Sequence, residues 1–151
     1  MPDEETLERA EEDREEGKSP STQAGEFVRE EMRHIREGKH GAKSTKQAIA
    51  IGLSKARRAG VELGAPKSGS AATRKKAAQD SRRGRSSLSR RRKPSARRSR
   101  ATSRALKREG GSAASRSNLS QQARSAARKR SPASRKKAAQ KAAATRRRRA
   151  A

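Results

Sequence analysis

Large apolar side chains are scarce: Leu, Ile, Val and Phe fill only 12 of 151 positions. That is well below the roughly 20% that usually accompanies a packed domain. Alanine makes up most of the remaining hydrophobic residues. Its methyl group buries little area, so the chain can enclose only a small core. With 42 Lys plus Arg against 16 Asp plus Glu, the net charge is +26. Little apolar area and strong self-repulsion together predict a mostly disordered chain carrying one small all-α unit.

The charges are segregated. Residues 1–31 hold 12 acidic and 4 basic side chains, whereas residues 65–151 hold 2 acidic and 30 basic ones. We therefore divide the chain into an acidic disordered leader at 1–20, a two-helix module at 21–64, and a disordered basic tail of Arg, Lys, Ser and Ala at 65–151. The leader is a candidate internal counterion for the tail.

The module carries ordinary helix signals. Phe27, Val28, Met32 and Ile35 recur at spacings of one helical face, with Glu31 in the same stripe, and predict a helix over 22–37 that starts near Ser21 or Thr22 and stops at Gly38. Ser44 and Gln47 have capping-box spacing and open a second helix over 45–59, with Ile49, Gly52, Leu53 and Ala56 on one face. Gly60 suits a left-handed C-cap, and Val61 and Leu63 are placed to fold back over the last turn. The predicted core of this antiparallel hairpin is Phe27, Val28, Met32, Ile35, Ile49, Leu53 and Ala56. Gly52 permits close helix approach. So small a unit suggests association of copies through the hairpin or a coiled coil.

The run KQAIAIGLSKARRAG at Lys46 to Gly60, with Gly38 and Lys39 before it, resembles a family of small uncharacterised bacterial proteins over about residues 27–60. Gln47, Ala48, Ile49, Ala50, Ile51, Leu53, Ser54, Ala56, Arg57 and Gly60 carry the likeness. Some members are labelled plasmid stabilisation or DNA-associated, so the resemblance implies a bacterial source and a nucleoid setting. It implies no catalytic residue.

Beyond residue 65 the sequence is of low complexity, and RKKAAQ occurs at both Arg74–Gln79 and Arg135–Gln140. In composition alone the tail resembles the basic tails of linker histones and of bacterial histone-H1-like proteins. Candidate phosphate-binding residues are Arg74, Lys75, Lys76, Arg82, Arg83, Arg90, Arg91, Arg92, Lys93, Arg97, Arg98, Arg128, Lys129, Arg130, Arg135, Lys136, Lys137, Arg146, Arg147, Arg148 and Arg149. Exchanging condensed counterions for phosphates favours such binding without distinguishing base pairs. Pro94 and Pro132 are expected to keep the tail extended, with helix over 121–130 and 136–149 only on binding.

Other chemistries find little to work with. Cys, Trp and Tyr are absent, which excludes disulfides, thiolate catalysis and Cys-based zinc sites. The spacing of His34 and His40 matches no standard zinc motif, so neither metal nor cofactor is expected, and no nucleophile–base pair suggests an enzyme. The acidic start is unlike a signal peptide, and no run is apolar enough to span or stably anchor in a membrane. The expected function is non-specific, salt-dependent DNA binding with nucleoid compaction or bridging, in the cytoplasm. The alternative is an RNA-binding or ribosome-associated protein.

Overall fold

Good helix formers dominate most of this chain, and Ser, Pro and Gly punctuate it at the helix ends. A computed structural model describes residues 2–66, 69–86 and 95–150. Among them are seven α-helices: α1 Glu4–Glu15, α2 Pro20–Arg36, α3 Thr45–Ala59, α4 Ala71–Arg85, α5 Ala96–Arg108, α6 Arg116–Arg128 and α7 Pro132–Ala150, with a 3-10 turn at Gly111–Ala114. The all-α expectation holds, but the expectation of a mostly disordered chain is overturned. Scarce apolar area limits how much a helix can bury. It does not prevent the helix from forming, because the backbone bonds are local and Ala, Lys and Arg carry the best propensities.

The central hairpin, α2 and α3, occupies nearly the spans read from sequence. Helix α2 starts at Pro20, earlier than Ser21 or Thr22 suggested, because the proline sits at the first turn behind Ser19 as N-cap. At α3 the Ser44 hydroxyl accepts the Gln47 amide at 3.2 Å, and Gln47 Oε1 accepts the Lys43 amide at 2.8 Å. The reciprocal half of the capping box thus reaches one residue further back. Gly60 has φ +105°; its amide donates to Arg57 and that of Val61 to Ala56, which is the paired Schellman pattern. Gly17 and Gly38 close α1 and α2 with the same pattern.

Phe27, Ala24, Ala56 and Ala10 form the buried centre, and Leu53, Ala59, Val61 and Leu63 pack against it. Met32 and Ile35 are buried as well, while Val28 and Ile49 are half-buried. A Cβ on Gly52 would meet the Val28 Cα at 2.8 Å and the Phe27 carbonyl at 3.0 Å, so α2 and α3 touch almost backbone to backbone. Val61 and Leu63 do fold back over the last turn of α3.

The acidic leader is helical, correcting the expectation for 1–20. Ala10 inserts into the core cluster. Arg33 pairs with Asp3 at 2.7 Å and with Glu5 at 3.2 Å. Two of the leader's carboxylates thus find a cation on α2.

The first part of the predicted tail is also structured and packed. Helix α4 is capped by Ser70, buries Ala77, Asp80 and Gly84, and lies on α3 through the Ser54 hydroxyl, which donates to Asp80 Oδ2 at 2.7 Å. Lys76 donates to the other Asp80 oxygen at 3.1 Å. The end of α5 and the 3-10 turn dock on the α2–α3 connection. The Gly41 amide donates to the Leu106 carbonyl at 2.9 Å, Thr45 Oγ1 to Ala113 at 2.6 Å, and Arg36 Nε to Ala114 at 3.1 Å. Ala113 and Ala114 are buried by this contact.

Residues 116–151 are a separate unit. Helix α6 buries no residue, and every described side chain of α7 is exposed. Ser131 and Pro132 start α7, and the Ser131 hydroxyl accepts the Ser134 amide at 3.2 Å. Pro132 therefore begins a helix and does not hold the segment extended.

Candidate nucleic-acid interface and a buried polar cluster

Two features carry chemistry. The first is the exposed array of cations. Arg74, Lys75, Lys76, Arg82, Arg83, Arg97, Arg98, Arg128, Lys129, Arg130, Arg135, Lys136, Lys137, Arg146, Arg147 and Arg148 are all exposed on helices or at their ends. Arg90, Arg91, Arg92 and Lys93 lie outside the described residues, as do Leu88 and Pro94, and Arg149 falls at the end of α7. Asp80 and Glu109 are the two acidic residues beyond residue 65. Asp80 is consumed by Ser54 and Lys76. On α7, Arg135, Lys136 and Lys137 are consecutive, so their side chains leave the axis about 100° apart. Positive charge therefore surrounds this helix and does not define one reading face. Arg57 adds a buried cation: its guanidinium donates to the Gly64 carbonyl at 3.3 Å, its Nε has no hydrogen-bond partner, and it lines a cavity of about 200 Å³ with Ser81 and Arg85.

The second feature lies under the leader, between α1, α2 and α3. Glu30 and Glu31 are adjacent on α2, and both are almost fully buried. Lys55 reaches across from α3 to Glu30 Oε1 at 2.7 Å and to Glu31 Oε2 at 2.8 Å. Glu30 Oε2 accepts the Asp3 amide at 3.1 Å, so both Glu30 oxygens are used. Burial works against the Lys55 ammonium, but the hydrogen bond to Glu30 and the close negative charge of Glu31 outweigh it and raise the pKa. Burial likewise pushes the Glu30 carboxyl upward, and Lys55 with the Asp3 amide brings it below its ordinary value. Asp3 is lowered mainly by its hydrogen bond to His34.

Glu31 is served differently. Lys55 neutralises it by proximity, yet neither carboxylate oxygen has an aligned hydrogen-bond donor. Its Oε1 faces His40 Nε2 at 3.4 Å. His34, one turn along α2, donates from Nε2 to Asp3 Oδ2 at 3.0 Å, and its ring meets that of His40 edge-on at 6.1 Å. Ligand-type atoms of Glu31, His34 and His40 all lie within 4.8 Å of one another. In sequence the two histidines carry no metal signal, because their linear spacing fits no motif. A helix end and a turn separate them, and the turn brings His40 back over Glu31. Lys55 and Asp3 were missed too. A legible signal was Glu31 itself, an acidic residue at a core position of the α2 stripe.

Apart from Asp3, this polar cluster and the hairpin around it sit inside the region with a known likeness. Residues 17–67 match a family of unknown function, DUF6496. The match covers α2, α3 and the residues following α3, and extends the 27–60 resemblance on both sides. It carries no function, so the plasmid-stabilisation and DNA-association labels find no support in it. No curated protein matches the chain, and no solved structure matches it. Among the described residues, no helix is long and apolar enough to cross a membrane.

Proposed function

We propose that this protein binds nucleic-acid phosphates, above all those of duplex DNA, without sequence preference and with steep salt dependence. The observation that carries this reading is the charge of residues 116–151, which hold 13 Lys and Arg and no Asp or Glu of their own, with the described Lys and Arg side chains all exposed. Phosphate contacts release condensed counterions and so favour association, while charge distributed around a helix cannot present a fixed donor pattern to base edges. Phe27, the sole aromatic, is fully buried, so no aromatic platform is available for stacking unpaired bases. That favours duplexes over single strands. Charge on all sides of α7 also suits contacts to two duplexes at once, and hence bridging.

The test is affinity for a duplex DNA and a structured RNA of equal length, measured across a salt series. Each phosphate contact contributes about 0.9 to the slope of log affinity against log salt on duplex DNA. Changing Arg146, Arg147, Arg148 and Arg149 to Gln should lower that slope by up to about 3 to 4. Affinity that ignores salt would refute the proposal; a marked preference for the RNA would move the function to RNA binding.

A further inference from the structure

His40 Nδ1 lies 3.2 Å from the Gly41 carbonyl oxygen, an acceptor, so Nδ1 carries the hydrogen and donates it. In neutral His40 the Nε2 lone pair then points at Glu31 Oε1, 3.4 Å away. Two acceptors face each other in a site where Glu31 is 0% exposed and this oxygen has no donor. Something positive belongs between them. Lys55 does not fill the role, because it stands on Oε2.

We propose that Glu31, His34 and His40 bind a divalent transition-metal ion of the zinc class. Zinc bonds of about 2.0–2.2 Å in a tetrahedral site place neighbouring ligand atoms roughly 3.3–3.5 Å apart, which matches the Glu31–His40 separation. His34 donates Nε2–H to Asp3, so the lone pair is on Nδ1, which lies 3.8 Å from Glu30 Oε1, beyond hydrogen-bond distance. A carboxylate behind one imidazole and a backbone carbonyl behind the other are the outer partners that fix tautomer and orientation at metal-binding histidines. Two imidazoles and one carboxylate suit zinc, cobalt or ferrous iron, whereas magnesium and calcium prefer oxygen donors. Three protein ligands leave a fourth position for water, and the partly exposed His40 side chain lies at the accessible edge. The competing trio of Asp3, Glu30 and His34 is less suited. Asp3 Oδ2 accepts from Arg33 and His34, and both Glu30 oxygens already have donors.

The chain has two histidines and no cysteine, so a nitrogen-ligated metal can be traced to its residues. Full-length protein stripped with chelator is titrated with Zn²⁺ by calorimetry, with Co²⁺ by visible absorption, and followed by long-range imidazole nitrogen NMR. The expected result is one equivalent bound, a four-coordinate Co²⁺ spectrum, and zinc-dependent shifts of His34 Nδ1 and His40 Nε2. His40→Ala should weaken binding by about 100-fold with helicity retained, and Asp3→Asn by about tenfold, the scale of an outer-shell loss. Absence of a saturable 1:1 zinc equivalent would overturn the proposal. So would a zinc-insensitive His40 whose nitrogens both carry protons, since a proton would then occupy the gap. Unchanged affinity in His40→Ala would assign the metal to surface carboxylates. The NMR measurement on the unmodified protein decides the matter even if a variant fails to fold.

Discussion

Replacing Lys55 with Met would leave Glu30 and Glu31 adjacent and buried without the ammonium that now contacts both. Breaking a buried ion pair by removing one partner costs about 3–5 kcal/mol, because the remaining charge is uncompensated. Denaturant unfolding of Lys55→Met should show a loss of that size, and a loss under about 1 kcal/mol would mean that water reaches the glutamates. Ser44→Ala is a milder change at the start of α3. It removes the acceptor for the Gln47 amide and should cost about 1 kcal/mol, as capping residues usually do. Ser44 and Gln47 could be read as a cap pair from their spacing alone, because a cap is a contact within four residues. Lys55 could not be paired with Glu30, 25 positions away, before the hairpin closed.

At the scale of elements, two glycines inside helices predict opposite outcomes. In an exposed helix interior Ala is favoured over Gly by about 1 kcal/mol, and a Cβ at Gly25 meets nothing within 4 Å. Gly25→Ala should therefore raise the thermal midpoint. Gly52→Ala gains the same propensity but drives its Cβ into the α2 backbone at Val28, and overpacking of this kind costs about 1–3 kcal/mol. Its midpoint should fall. The hairpin was legible because amphipathic spacing, a Ser cap and a Gly stop all act within one helix. Helix α1 was not legible. Its stability depends on Ala10 entering a core built by other elements, and on Arg33 answering Asp3 and Glu5.

Taken across the first 115 residues, the small core is extended by polar docking more than by apolar area. Ala113 and Ala114 are buried at the α2–α3 connection, and Thr45 donates to the Ala113 carbonyl within that contact. Thr45→Val keeps the shape and removes the donor, leaving a buried carbonyl unsatisfied at a cost of about 1–3 kcal/mol. The expected readout is faster amide exchange at Gly41 and Ala42, whose amides donate to Leu106 and Gly110, with exchange in the middle of α3 little changed. Uniform acceleration would show instead that the docked segment and the hairpin unfold together. Composition placed residues 71–85 and 106–114 in a disordered tail because it counts side-chain types and cannot register the burial of Asp80 against Ser54 or of two alanines against a turn.

By itself the sequence determined where the central helices begin and end, which residues form their apolar stripe, and where positive charge accumulates. Each of these follows from neighbours within a turn or two, or from composition summed over a segment. Tertiary structure decided which charges are neutralised and which are left over. It folded the acidic leader onto Arg33, placed Lys55 between two glutamates, and carried His40 back to an unpaired Glu31 oxygen. Those meetings depend on how separate helices dock, and docking is set by the summed fit of small surfaces such as Gly52, Ala56 and Ala10, which no local pattern encodes.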